Sequence, residues 1–391
     1  MSNRCLVSGA LAAIAVMGWA AIPSAGPTAL NRFIGVAEAF GGGAQGPASG
    51  ATPATVVKPA MPIKTPWGDP DLSGTWTSDD MRGVPRERPA EFAGKDQLSD
   101  EEFAKRVATF EQTRKAELNR VGAFRNDVGT RVFRQTSLVV EPADGRIPPL
   151  TPEAEKRRAP RDRGSFGEGP FDGPEDFTMY DRCITRGVVG SILPVIYGNG
   201  NRIVQGPGYV AISYEMVHDT RVIPLDGRPH VNKNIRLLLG DPRGHWEGNT
   251  LVVETTNFTD KTSIGGNGNG LRHSEALRLI ERITRLDAET LRYEVTIDDP
   301  KTYTRPWKIS LPLTSPPGYQ MLPYECHEGN YMLHNVLSGE RAEDKALEED
   351  AKKGIIRPRK GVQQNLDAGA RPRPGTEGAA AGGEEGPPPA R

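Results

Sequence analysis

Six histidines are the side chains best able to do acid–base or metal chemistry near neutral pH: His218, His230, His245, His273, His327 and His334. Their spacing speaks against a metal. There is no H-E-x-x-H, and His327-Glu328 followed by His334 lacks the i, i+4 separation that sets two imidazoles on one helical face. No G-x-S-x-G elbow, P-loop or Rossmann glycine fingerprint is present, so serine-hydrolase, nucleotide and dinucleotide chemistry have no sequence support, and no cofactor is expected. Asp298-Asp299 is followed by Pro300 and reads as a turn, not as a catalytic carboxylate pair.

The densest concentration of chemistry lies between Asn201 and Phe258. Four groups stand there: Glu215/His218/Asp219, Asp226/Arg228/His230, Asp241/Arg243/His245, and Glu254. His218 continues the apolar face of an alternating strand, where burial lowers an imidazole pKa and calls for a polar partner. That points to a pocket around His218 and Arg221, with Glu215, Asp226, Arg228 and His230 nearby as ligand-binding residues. His218 would serve as acid/base, and Arg221 or Arg228 would hold an anionic or carbonyl group. The plainer alternative is a core histidine satisfied by a neighbour, with Arg228 paired to Asp226 to stiffen a loop.

These residues need strands to position them, and the pattern supplies strands. Tyr209 to His218 alternates, and Gly206-Pro207-Gly208 lets Arg202 to Gln205 pair back on it. Gly248-Asn249 suits a two-residue hairpin loop, with glycine taking the positive φ of a type II′ turn, and Leu251 to Thr256 returns. Leu277 to Leu286 turns through Asp287-Ala288-Glu289 into Leu291, Tyr293, Val295 and Ile297, which alternate strictly with polar residues. Trp307, Ile309, Leu311 and Leu313 follow at period two, and Pro312 predicts that this strand ends there or lies at an edge. Successive hairpins without intervening helices predict a mainly β fold: an antiparallel meander closing into a lipocalin/calycin-like barrel or a sandwich. Asp71 to Trp76 holds the Gly-x-Trp with which lipocalin-like barrels often open. Ser99 and Glu102 form a capping box, so a helix over 99–118, with Phe103, Val107 and Phe110 on one stripe, is expected to cover a sheet edge or barrel end.

Composition bounds the folded part. The chain has 391 residues, with 45 Gly and 34 Pro concentrated at the ends and in one internal segment. Residues 1–39 read as a secretory signal, its apolar run from Leu11 to Ile22 broken by Pro23 and cleavage placed after Ala25 or Ala39. Residues 40–66 form a flexible leader, 67–340 a single β-rich domain, 341–357 a charged helix, and 358–391 a disordered tail. The basic run Lys156 to Arg163 reads as a solvated loop. With 49 basic and 50 acidic residues the net charge is −1, which favours neither nucleic acid nor an anionic surface. No run after the signal reaches the roughly 20 residues of a membrane span, so the mature protein is expected in the periplasm or outside the cell. Cleavage removes Cys5. In an oxidising compartment Cys183 and Cys326 then pair most economically with each other, carrying His327 and Glu328 toward the central stretch, although two buried thiols fit the count as well.

Several runs in combination, PDLSGTW, SLVVEPADGRIPPLTPEAEKR, DRCITRG, EMVHDTRVIPLDGRPH, GDPRGHWEGNTLVVETTNFTDKT, ERITRLDAETLRYEVTIDDPKTYTRPW and YECHEGNYMLHNVLSG, resemble a family of uncharacterised secreted bacterial proteins. They cover most of Pro70 to Gly339. The resemblance implies export and no particular reaction; Asn249 departs from the Asp usual in the family, which argues against a catalytic carboxylate in that turn.

Three function classes stay open. One is an exported barrel binding a small, largely apolar ligand; another is a cofactor-free lyase, hydratase or isomerase using a His–Arg pocket in the same cavity; the third is a structural, envelope-associated protein. A filled interior favours the third, and a converging His and Arg the second. Oligomeric state is not readable from the chain.

Overall fold

The computed structural model describes residues 63–121, 128–157 and 170–359. The signal segment, most of the leader, residues 158–163 of the basic run, and 360–391 of the tail lie outside the described residues.

Ten strands form one antiparallel sheet: β1 (Gly74–Thr77), β2 (Val139–Glu141), β3 (Gly200–Gly206), β4 (Tyr209–Tyr214), β5 (Thr220–Pro224), β6 (Asp241–Glu247), β7 (Thr250–Thr256), β8 (Arg278–Arg285), β9 (Thr290–Asp298) and β10 (Trp307–Thr314). They are ordered β5-β4-β3-β1-β10-β9-β8-β7-β6, with β2 pairing β10 beside that path. The hairpins read from the sequence are present. Glu247 faces Thr250 across Gly248-Asn249, and Gly248 has φ +60° while Asn249 does not enter the left-handed region, as a type II′ loop requires.

The two end strands, β5 and β6, are consecutive in the chain and lie against each other without a hydrogen-bonded ladder. A Cβ added at Gly244 of β6 would meet Leu225 Cδ2 at 2.6 Å and Ile223 Cγ2 at 2.8 Å. The sheet thus curls until its edges touch through side chains, and its ladder does not close. Pro312 does not end β10 or lie at an edge of the sheet. It sits between the β2 contact at Lys308 and Ile309 and the β1 contact at Thr314, on a stretch where β10 has no strand partner on that side, so the missing N–H is tolerated.

Alternation puts one face of every long strand inside. Leu291, Tyr293, Val295 and Ile297 of β9 and Trp307, Ile309, Leu311 and Leu313 of β10 are all at most 1% exposed. They share a core with Trp76, Tyr214, Ile223 and Val253. The interior is therefore occupied by side chains. Trp76 is locked by its indole N–H donating to Leu72 O (2.9 Å) and by the Arg285 guanidinium 5.3 Å over its ring.

Two inward positions carry charge. Arg221 on β5 and Glu281 on β8 are completely buried and form a bidentate pair, Nη1 to Oε2 at 2.6 Å and Nη2 to Oε1 at 2.5 Å. Tyr293 donates to Glu281 Oε1 at 2.9 Å. Burial opposes the charge on Arg221, but Glu281 outweighs it and its pKa is raised; burial pushes the Tyr214 phenol beside them up to about 12.

The helices are peripheral. α1 (Asp100–Val121) opens on the expected capping box, Ser99 N–H to Glu102 at 2.8 Å and Glu102 N–H to Ser99 Oγ at 3.3 Å. Lys95 and the Ser99 groups hold the Glu102 carboxyl down to about 2. The helix rests on the segment 131–136, with Arg106 donating to Phe133 O and Gln135 O, and Gln135 in turn donates to Ser310 O on β10. α2 (Pro152–Arg157) and α3 (Val188–Ile192) are short, and α4 (Met332–Lys352) begins nine residues before the expected charged helix. Among the described residues no helix is long and apolar enough to cross a membrane.

Removing one partner of a buried pair strands the other charge and costs about 3–5 kcal/mol, whereas replacing both with apolar side chains is often neutral. Arg221→Met is therefore expected to lower urea-unfolding stability by that amount, and Arg221→Met/Glu281→Leu to recover most of it. Additive losses in the double variant would contradict a coupled pair.

Candidate functional site

At one rim of the sheet four segments converge: 178–187, 195–201, 215–219 and 319–326. The bridge Cys183–Cys326, with Cα atoms 5.7 Å apart, ties the first to the last. The turn before it is self-braced, Thr178 donating to Asp181 Oδ2 at 2.8 Å, and Asn330 Nδ2 donates to Asp181 O at 2.7 Å.

Arg186, three residues after Cys183, is 1% exposed. Its Nη1 donates to Gly198 O at 3.2 Å, while Nε and Nη2 have no acceptor in the protein. Burial lowers its pKa to about 10, and Tyr180, Tyr324, Tyr197 and Glu215 act in the opposite sense, so it stays charged at neutral pH. The Tyr180 and Tyr324 hydroxyls lie 3.4 Å apart, and the Tyr197 and Tyr324 rings are 6.4 Å apart at 42°. Burial, then the contact with Tyr324, raises the Tyr180 phenol, which remains protonated.

Glu215 anchors the 319–326 segment. It accepts from Gly200 N (2.9 Å), Leu322 N (2.8 Å) and the Tyr319 hydroxyl (3.0 Å). His218 adds a third tie to that segment, its Nε2 accepting from Tyr324 N at 2.9 Å, which puts the imidazole proton on Nδ1. β4 ends at Tyr214, and Val217 and His218 turn with φ of +67° and +56°. His218 therefore leaves the apolar face that alternation assigned to it and is exposed. Cys183 also has φ +56°. Three left-handed non-glycine residues, one of them β-branched, gather at this rim; strained backbone of this kind concentrates at functional sites.

Of the residues expected from sequence, Glu215 and His218 belong to this cluster. Arg221 is inside the core with both Nη atoms on Glu281. Asp226 and Arg228 chelate each other on an exposed loop, holding the carboxyl of Asp226 below its usual range. His230 Nδ1 lies 3.0 Å from Asp241 Oδ2, and the same carboxylate takes Val231 N–H (3.0 Å) and Arg243 Nη1 (2.7 Å), so this group pins the loop between β5 and β6. His327 and Glu328 follow the bridge and are exposed. Among the described residues no group of three or more His, Cys, Asp or Glu is placed to hold a metal. Arg186, Tyr180, Tyr197, Tyr319 and Tyr324 were not read from the sequence. The available signal was proximity to the paired cysteines: Tyr180 and Arg186 flank Cys183 by three residues each, and Tyr324 precedes Cys326 by two.

A small cleft that Arg186 itself lines, together with Thr178, Thr185, Thr262, Ser263 and the basic residues Lys261 and Arg272, has about 10 Å³ of free volume, room for about one water. α3 packs tightly on its glycine loop; a Cβ at Gly190 would lie 2.6 Å from Gly265 O. The loop ends at His273, 2% exposed, whose Nε2 meets Thr262 Oγ1 at 2.6 Å and whose Nδ1 meets Ser274 O at 3.0 Å.

Comparison with known protein families, curated proteins and solved structures finds no match for this chain.

Burial lowers the His273 pKa from its ordinary 6.5. Below that value the unfolded chain binds a proton that the folded state resists, so stability is lost as pH falls, by at most about 1.4 kcal/mol per pH unit. His273→Gln is expected to flatten this slope in urea unfolding between pH 7.5 and 5.5. An unchanged slope would reassign the acid sensitivity to other groups.

Proposed function

We propose that this is an exported protein with a lipocalin/calycin-like barrel that binds a small, largely apolar molecule bearing an anionic group, seated at the Arg186 rim rather than in the lumen. The observation that carries the reading is the Arg186 guanidinium: buried, charged, with Nε and Nη2 lacking a protein acceptor, within the field of Tyr180, Tyr324 and Tyr197 and beside Lys261 and Arg272. A buried donor without an acceptor costs about 1–3 kcal/mol, and an anion recovers it through a charge-assisted bond. The side chains filling the interior speak against an apolar ligand within the barrel. They equally favour a structural, envelope-associated role, which lacks a reason for Arg186.

A cofactor-free lyase, hydratase or isomerase would place its acid/base at the same rim. His218 presents Nε2 to a backbone N–H, and the Tyr180 phenol is held protonated, so both act here as hydrogen-bond partners rather than as a poised base. Export is supported by the Cys183–Cys326 bridge and by the apolar run Leu11 to Ile22.

Two measurements test this. Intact mass of the exported product is expected to begin after Ala25 or Ala39; a product retaining Met1 to Ala25 overturns cleavage. In a thermal-shift panel of anionic, neutral and cationic small molecules, only anions are expected to raise Tm, with about 2.7 kcal/mol of stabilisation at 100 times Kd. A panel in which no anion shifts Tm overturns the binding reading.

A further inference from the structure

We infer that the 319–326 segment is a pH-operated strap: His218 clasps it at neutral pH and releases it when the imidazole takes a proton, and Glu215 is a second clasp that gives way at lower pH. The strap works in this way whatever the Arg186 rim binds.

Side chains seat the strap, not its own backbone. It lies outside regular secondary structure, and among the described residues its backbone–backbone bonds are local, Tyr319 N to Pro316 O and Cys326 N to Tyr324 O. It nonetheless sits close on the start of β3: a Cβ built on Gly200 would meet Glu215 Oε2 at 2.6 Å, Met321 Cγ at 2.9 Å and Tyr319 Oη at 3.1 Å. Leu322 N–H donates to Glu215 Oε1, the Tyr319 hydroxyl to Glu215 Oε2, and Tyr324 N–H to His218 Nε2. In all three the strap donates and the body accepts, and each acceptor is a group that a proton can occupy.

The direction of donation sets the sign. A proton on His218 Nε2 turns the acceptor into a second donor facing the Tyr324 N–H, so the bond is replaced by two opposed N–H groups. The bond therefore exists with the neutral ring and is lost as pH falls. Histidine changes charge between about pH 5 and 8, and carboxylates in a more acid range, so His218 lets go first. Its exposure lets the proton arrive from solvent without unfolding. The surrounding charges widen the interval between the two clasps. Asp219, next in the chain and braced by Thr185 and the Thr220 N–H, and exposed Glu325 on the strap both favour the imidazolium. Arg186, from the 178–187 segment, puts its positive field on Glu215 and favours the carboxylate, while Asp79 acts on the Tyr319 hydroxyl. The other titratable groups at this rim are the phenols of Tyr180, Tyr197 and Tyr324.

Release stays local. Tyr319 also shares its hydroxyl with Thr77, and Cys326 is bridged to Cys183, so the stretch between them lifts with both ends held. The Tyr180–Tyr324 hydroxyl contact, 3.4 Å long, is weak enough to part with it. Beneath the strap the turn keeps bonds that do not titrate, Glu215 N to Gly200 O and Tyr214 N to Asp219 O.

The test is amide hydrogen exchange of the oxidised mature protein at pH 7.5 and 5.5, corrected for the intrinsic pH dependence of exchange. The Tyr324 amide is expected to lose at least ten-fold in protection at pH 5.5, while the Glu215 amide keeps its own. His218→Gln retains an acceptor that does not titrate in this range, and is expected to hold Tyr324 protection constant across it. In wild-type protein the ¹⁵N shifts of the His218 ring are expected to show Nδ1–H at pH 8, a readout that needs no variant. Unchanged Tyr324 protection, the same loss in a folded His218→Gln variant, an equal loss at the Glu215 amide, or an Nε2–H ring at pH 8 would overturn the strap. None of these outcomes bears on the thermal-shift panel, so anion binding stands or falls separately.

Discussion

The interior is organised around a charge pair placed where a β-protein ordinarily puts two aliphatic side chains. A curled antiparallel sheet whose ladder is open between β5 and β6 needs something to hold the final hairpin against the opposite wall. Part of that comes from Ile223 and Leu225 against Gly244, where an added Cβ would displace both side chains. The rest comes from Arg221 reaching across the interior to Glu281 on β8, with Tyr293 completing the carboxylate's acceptors. Desolvating both charges opposes folding, and only the bidentate geometry offsets it. The same geometry makes the interior specific: an apolar pair would tolerate sliding of β5 relative to β8, whereas two parallel N–H···O bonds do not.

With β5 fixed, the tight turn before it is fixed too, and the rim follows. Val217 and His218 reverse the chain in left-handed conformations, aiming Glu215 and His218 at the 319–326 segment instead of along the strand. The bridge from Cys183 to Cys326 closes the arrangement from the other side and brings Tyr180 to Tyr324. Core and rim are thus coupled through six residues of chain, Glu215 to Thr220, which is why the rim can hold backbone conformations that would be costly elsewhere.

The strands were legible because a half-buried strand imposes period two, and β9 shows it from Leu291 to Asp298. Hairpin loops were legible where glycine had to take positive φ, as at Gly248. The pairing of Cys183 with Cys326 was legible from the cysteine count together with the expected signal, which sets Cys5 aside. What alternation cannot tell is where a strand stops, and this misplaced His218: Tyr214 is the last residue in the ladder, and four residues later the imidazole is on the surface. Nor can alternation tell which polar residue on an inward face is a site and which a brace. Arg221 occupies an inward position, and only its partner, 60 residues away on β8, reveals that it is spoken for. Pro312 misled for a related reason: the rule that proline avoids central strands concerns ladder bonds, and a central strand can lack a partner over a few residues.

The contrast between two arginines carries the functional argument further than any motif does. Arg221 and Arg186 are both buried, yet burial lowers the pKa of Arg186 while Glu281 raises that of Arg221. The difference is the presence of an acceptor. A chain that needed Arg186 only to fill space would be served by an apolar side chain such as Met, without the desolvation penalty. A chain that needed it as a brace would supply a carboxylate, as it does for Arg221. Glu215 is close enough to be felt by Arg186, but its oxygens go to Gly200, Tyr319 and Leu322. The guanidinium is therefore held charged, oriented by Gly198 and without a carboxylate partner, a combination that lowers stability in the protein as it stands.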